Sequence, residues 1–337
     1  MRHFSTVLVL FWMLSGPMPS AAAPSSPPQT TSIPAVTQNQ SRYFSWLEND
    51  VSLTAGYRRD DLRWRIAGNL QGTSPDTQSE LEWSDLDIYQ LKLANRSVIL
   101  DRIYLRWQVA YGVVDAGDNR DSDYHGDNRT DEYSRSLNGV DGNKVWDASL
   151  GIGPRFTFSN ATLALCPMIG YAVSEQDLTI VDGNQVLTDN PVDRPLGPID
   201  GLDSRYESRW QGPWLGLDLH YAVPLSYGIF TGLGIVLSAE YHWIDYDADA
   251  NWNLRSEYRH PKSFTHTADG SGWVAGATIL LDMGRRWQVS LGVDATHMRT
   301  DAGVDRIYFT DGTTAETQLN EVRWRSICVE AGVSCRF

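Results

Sequence analysis

The sequence predicts an all-β chain, a ten-stranded antiparallel transmembrane β-barrel with long extracellular loops. Three observations predict it. Ten stretches of two-residue alternation run along the chain, and no helical segment is present to cover their apolar face. The links between these stretches are alternately short and long. The final stretch continues to the last residue and ends on an aromatic, Phe337.

Taken in order, Arg2 and His3 precede an apolar run from Val7 to Leu14, followed by Ser20, Ala21, Ala22 and Ala23. This reads as a secretory signal peptide over residues 1–22, too short for a membrane span. Cutting after Ala22 avoids leaving Pro24 at the first mature position. Residues 23–44, rich in Ser, Thr, Pro and Gln, read as a flexible periplasmic lead-in. The barrel then occupies 45–337. Its strands are expected near 50–68, 79–95, 99–116, 144–158, 161–180, 205–222, 226–246, 267–284, 286–306 and 316–337.

Strand phases follow from alternation. In the last strand Ile327, Val329, Ala331, Val333, Cys335 and Phe337 face lipid. Strand nine turns Trp287, Val289, Leu291, Val293 and Ala295 outward, and strand seven Tyr227, Ile229, Leu233, Ile235 and Leu237. The first strand changes apolar phase near Arg58 to Asp61, which predicts a bulge there or an early exit from the membrane. Trp64, Trp83, Trp107, Trp146, Trp210, Trp243, Trp273 and Trp287 are candidates for interfacial girdles.

Short links such as Ser159-Asn160 and Gly284-Arg285 suit periplasmic turns. The long polar links around 69–80, 115–143, 180–205, 245–268 and 300–316 suit the cell exterior. A barrel this narrow is filled by its own side chains. The inward set is Arg106, Asp147, Arg155, Asp218, His220, Glu240, Asp282 and Asp294, a polar plug that argues against a wide pore. Inward glycines (Gly228, Gly232, Gly234, Gly292, Gly332) keep a narrow channel open as an alternative.

A net charge of −14 disfavours a nucleic-acid partner. The three cysteines read as unpaired fillers, since Cys328 and Cys335 lie roughly 23 Å apart on one strand and Cys166 belongs to a strand that neighbours neither. No cofactor is implied, and none of the seven histidines has zinc-ligand spacing beside a cysteine.

Several segments together resemble the omptins, ten-stranded outer-membrane aspartyl proteases. Ser79-Glu80-Leu81-Glu82-Trp83 is similar to the start of that family's strand two. Arg205-Tyr206-Glu207-Ser208-Arg209-Trp210, with Pro213-Trp214-Leu215-Gly216-Leu217, resembles its strand-six entry. Asp121-Ser122-Asp123-Tyr124 resembles its Asp-x-Asp-Trp, the aspartate pair on one side of the active-site groove. Asp247-Ala248-Asp249-Ala250-Asn251 falls where the family carries Asp-x-Asp-x-His.

The resemblance implies catalytic positions at Asp121, Asp123 and Asp249, with Asp247 toward substrate, and places Asn251 where the histidine general base belongs. An asparagine has no basic nitrogen near neutral pH, so the groove is expected to be degenerate. His125 and His260 are loop histidines without the family spacing. The family's lipopolysaccharide site is matched only at Tyr171 and Arg209, with Glu175 in place of an arginine. The expectation is a monomeric barrel in the cell outer membrane. Its partners would be outer-membrane lipid and host or surface polypeptides. An active endopeptidase cleaving near basic residues and a narrow channel are the alternatives. The carboxy-terminal Phe337 resembles the signal read by the outer-membrane assembly machinery.

Overall fold

The computed structural model describes residues 49–158 and 162–337. The signal peptide (1–22), the lead-in (23–44) and the Ser159-Asn160 turn lie outside the described residues.

The strand segments are β1 (Asn49–Ile66), β2 (Ser79–Ile99), β3 (Ile103–Gly126), β4 (Thr130–Gly139), β5 (Lys144–Pro154), β6 (Phe156–Phe158), β7 (Leu163–Thr188), β8 (Gly197–Pro198), β9 (Asp203–Tyr227), β10 (Phe230–Asn251), β11 (Phe264–Met283), β12 (Trp287–Thr300), β13 (Gly303–Tyr308) and β14 (Thr314–Arg336). All fourteen belong to one antiparallel sheet, closed by pairing of β1 with β14. The sequence reading has ten strands. The structure divides the sheet more finely, because β4 and β5 both lie between β3 and β7, and β12 and β13 both lie between β11 and β14. Residues 130–139, expected within a loop, are strand. The turn expected before residue 226 lies later, since β9 runs to Tyr227 and Gly228 takes the left-handed conformation (φ 58°) that a two-residue turn requires.

The change of phase expected near Arg58 coincides with a register shift against β2, between Asp60 and Leu62, and with the strand's rise out of the apolar band. Arg58, Asp60, Leu62 and Trp64 are all buried, so β1 keeps one face inward throughout. What changes is the polarity of the interior. In the lower half, apolar residues point outward: Leu53, Leu91, Val109, Leu291, Ile327 and Val329 are exposed. In the upper half the interior is a water-excluded core, built from Leu62, Trp64, Leu81, Trp83, Leu178, Tyr206, Trp210 and Tyr246. Lipid outside demands apolar side chains there, and water outside demands them within. The bulge in this ladder falls beside Asp61, with the extra residue on β2, where Asp85 (φ 50°) lies between Trp83 and Leu86. Trp64, Trp83 and Trp210, expected in the girdles, are therefore core residues, whereas Trp243, Trp273 and Trp287 are outward and exposed.

Ion pairs share the lower interior with an apolar cluster that includes Tyr104, Met168, Trp214, Val236 and Leu280. Arg58 bridges Asp60 (2.5 Å) and Asp147 (2.7 Å). Lys92 reaches Glu330 (2.5 Å) and Asp294 (3.2 Å). Arg106 joins Asp218 (2.9 Å) to Glu240, which also meets His242 (2.9 Å). Arg336 closes on Asp282 (2.5 Å). Buried charges persist when they are paired and hydrogen-bonded, and here they cross-link opposite walls. A cavity of about 130 Å³ remains among them. The three cysteines are free thiols, and buried Cys328 accepts a hydrogen bond from Gln90 (3.3 Å).

Candidate groove at the long-loop end

The upper core forms the floor of a groove. Trp83 packs on Tyr206 with ring centroids 5.3 Å apart, and Trp64 meets His266 edge-on at 5.0 Å. The Tyr206 hydroxyl is bonded to the Tyr246 hydroxyl (2.6 Å) and to Nδ1 of His266 (2.8 Å). The opposite ring nitrogen of His266 lies 3.3 Å from Asp305, which also accepts from the Thr317 hydroxyl (3.0 Å). His266 is wholly buried, and its Nδ1 bond to Tyr206 fastens β11 to β9 beneath the groove floor, with β13 paired alongside.

Above this floor, Asp121 and Asp123 project from the same face of β3. Their register partners on β2 are Leu81 and Ser79. Both carboxylates line two cavities of about 480 and 470 Å³, and Arg194, Arg255 and Trp252 line both as well. Arg194 lies 3.9 Å from Asp123 and stacks over Tyr133 at 5.2 Å. Loss of hydration raises both carboxyls above the ordinary range. The neighbouring Asp123 charge adds to the rise at Asp121, and Arg255 and Arg194 oppose it. Two carboxylates one turn of the pleat apart therefore hold on to a proton at a pH where an exposed pair would be fully ionised.

Asp247, Asp249 and Asn251 do not face this pair. On β10 the inward phase is Tyr246, Ala248 and Ala250, all in the core. The alternate phase points to the outer wall. There Asp249 pairs with Lys262 (2.6 Å), and Asp247 lines a separate pocket with Arg205, Arg209 and Glu175. The Asn251 side chain bonds His260 Nδ1 (2.8 Å), whose other ring nitrogen faces the Arg255 carbonyl (3.2 Å). The expected second catalytic couple opposite Asp121 and Asp123 is thus replaced by alanines, Trp252 and Arg255. The cause is the inverted interior: above the membrane, small and aromatic residues take the inward positions and the carboxylates turn to solvent. His125 stacks on Tyr133 (3.9 Å between centroids) and reaches Asp189 (3.3 Å). Among the expected lipid-site residues, Tyr171 is exposed, and Arg209 is held by Glu175 at 2.6 Å. Arg194 and Arg255 were not among the expected site residues; each sits in a long loop with no sequence pattern to mark it.

Residues 52–337 match the model of the Protochlamydia outer membrane protein family, Pom. The chain belongs to that family. Family membership and fold together place it in the outer membrane as a β-barrel. Among solved structures, outer membrane protease OmpT from Escherichia coli superposes with a TM-score of 0.68 at 14% identity, covering 86% of this chain and 96% of that one. That likeness is one of fold. OprG from Pseudomonas aeruginosa aligns with a TM-score of only 0.32 at 10% identity, over 86% of this chain and 96% of its own. No curated protein matches.

Proposed function

We propose that this Pom-family barrel is a divergent relative of the omptin fold whose groove binds polypeptide at the cell surface without cleaving it. The observation that carries this reading is the wall opposite Asp121 and Asp123. It offers Trp252 and Arg255 where a peptidase of that design needs a histidine to activate water. The aspartate pair is suited to a basic side chain, and Arg194 with Arg255 to a neighbouring carboxylate, so the ligand is an extended segment carrying both charges. The packed ion pairs in the lower interior favour this binding role over conduction.

Proton linkage supplies the test. Because the Asp121 and Asp123 carboxyls are raised, protons compete with a cationic ligand, and the affinity increases as pH climbs through their raised range. In fluorescence anisotropy with a labelled Arg-Glu peptide and the refolded barrel, binding is expected to tighten from pH 5 to pH 8. Asp121→Asn combined with Asp123→Asn is expected to weaken binding roughly 10- to 100-fold at pH 8, the worth of one charge-assisted hydrogen bond, and to flatten the pH profile. Unchanged affinity in that variant rejects the assignment.

A further inference from the structure

An arginine cluster stands on the outer wall at the closing seam of the barrel. Arg63 on β1 lies opposite Arg323 on β14, and Arg323 lies opposite Arg299 on β12, so three like charges share one row across the sheet. Arg65 sits above this row and exposed Arg325 below it, opposite Asp61. Like charges directly opposite one another are destabilising in a sheet. The four upper guanidiniums converge on a single carboxylate: Glu321 lies 2.7 Å from Arg65, 2.8 Å from Arg299, 3.3 Å from Arg323 and 3.5 Å from Arg63. Its side chain is only 2% exposed, whereas that of Arg299 is 59% exposed. The acids on β2 nearest this row are already engaged, Glu82 by Arg120 (2.6 Å) and Glu80 by Arg129 (2.6 Å). A chain with net charge −14 thus carries a surplus of positive charge at one place on its wall.

What lies beneath the cluster gives it meaning. The outward phase of β14 passes directly from Arg323 and Arg325 to Ile327, Val329 and Val333, all exposed. Next to it on β12, His297 gives way to Val293 and Leu291, and Trp273 marks the same level on β11. The wall therefore offers guanidiniums at headgroup height and an unbroken apolar track below them. That sequence of chemistries matches a phosphorylated lipid in one direction only.

We infer that the β1–β14–β12 wall is a docking site for a phosphorylated lipid of the outer leaflet, with phosphate held by Arg63, Arg299, Arg323 and Arg325 and acyl chains along the Ile327–Val333 track. Arginine suits this task because its planar fork binds phosphate bidentately. The opposite wall, around Tyr171 and Arg209, does not compete, since Glu175 already occupies its arginine.

The test uses the refolded full chain in detergent micelles, with retention of fluorescent diphosphoryl lipid A as the readout and heat-modifiable gel migration as the check on folding. Arg299→Gln with Arg325→Gln is expected to cut retention roughly 30-fold, at the strength of two arginines near an anionic surface. Arg209→Gln on the other wall is expected to leave it unchanged. Glu321→Gln, which removes the internal competitor, is expected to raise retention. Should the double variant not fold, Arg325→Gln alone carries the test, because Arg325 lies outside the Glu321 contacts, and it is then expected to lower retention. Equal retention by folded wild type and variants overturns the inference, as does equal binding of dephosphorylated lipid A. Full displacement by an equal concentration of inorganic phosphate also overturns it, because the site would then recognise the free anion and not the lipid.

Discussion

Replacing Arg58 with alanine is expected to cost about 3–5 kcal/mol of unfolding free energy, while the same change at the next residue costs within about 0.5 kcal/mol. Arg58 is 4% exposed and serves two carboxylates. Without it Asp60, wholly buried, keeps among the described residues the donors Trp324 Nε1 (2.9 Å) and Gln176 Nε2 (3.2 Å). A buried carboxylate stripped of its counter-ion is among the most costly lesions a fold can carry. Arg59 points the other way and meets Asp87 (2.8 Å) and Asp85 (3.3 Å) at the surface, where ion pairs contribute little. Urea unfolding of the barrel in vesicles, followed by tryptophan emission, separates the two. Equal losses would contradict the assignment of faces on β1.

The second large effect lies in the groove floor. Trp83→Ala is expected to cost about 3–5 kcal/mol, since it opens a cavity beneath Tyr206 in a fully buried cluster. The damage should be local. Hydrogen exchange is expected to quicken in the upper parts of β2, β9 and β10 and to stay slow in the membrane-facing lower strands, which are packed by a separate ionic network. Trp83→Phe retains the ring contact and loses no hydrogen bond, because the indole nitrogen has no hydrogen-bond partner among the described residues. It is expected to cost much less. Uniform quickening over the whole barrel would show that the two halves unfold as one.

These two sites also mark where the sequence was readable. Alternation with apolar residues outward marks the membrane-facing halves. Of the expected inward set, Arg106, Asp147, Asp218, Glu240, Asp282 and Asp294 form the interior network, while His220 is buried against Tyr104 and Arg155 is not among those ion pairs. In the upper halves the same alternation was misleading. A period of two specifies which residues share a face, but not which face is wet. Asp247, Asp249 and Asn251 are expected in the groove only through their resemblance to the omptin Asp-x-Asp-x-His. Their neighbours Tyr246, Ala248 and Ala250 take that place because water, not lipid, surrounds the wall at that height. Asp121 and Asp123, expected through their resemblance to the omptin pair, share one face of β3 and line both cavities. Arg194 and Arg255, which face them, come from loops whose positions depend on contacts such as Arg194 over Tyr133, far from local sequence control.

The groove is proposed to bind polypeptide without cutting it. The most direct measurement offers one quenched, dibasic, Glu-containing peptide to the refolded barrel in the presence of lipopolysaccharide, and reads binding and cleavage in the same cuvette. Saturable binding is expected that is lost in the Asp121→Asn, Asp123→Asn variant, with no release of fluorescence beyond that variant's background. Turnover in the wild type that the variant abolishes would contradict it, and would mean that some group other than a groove histidine activates the water.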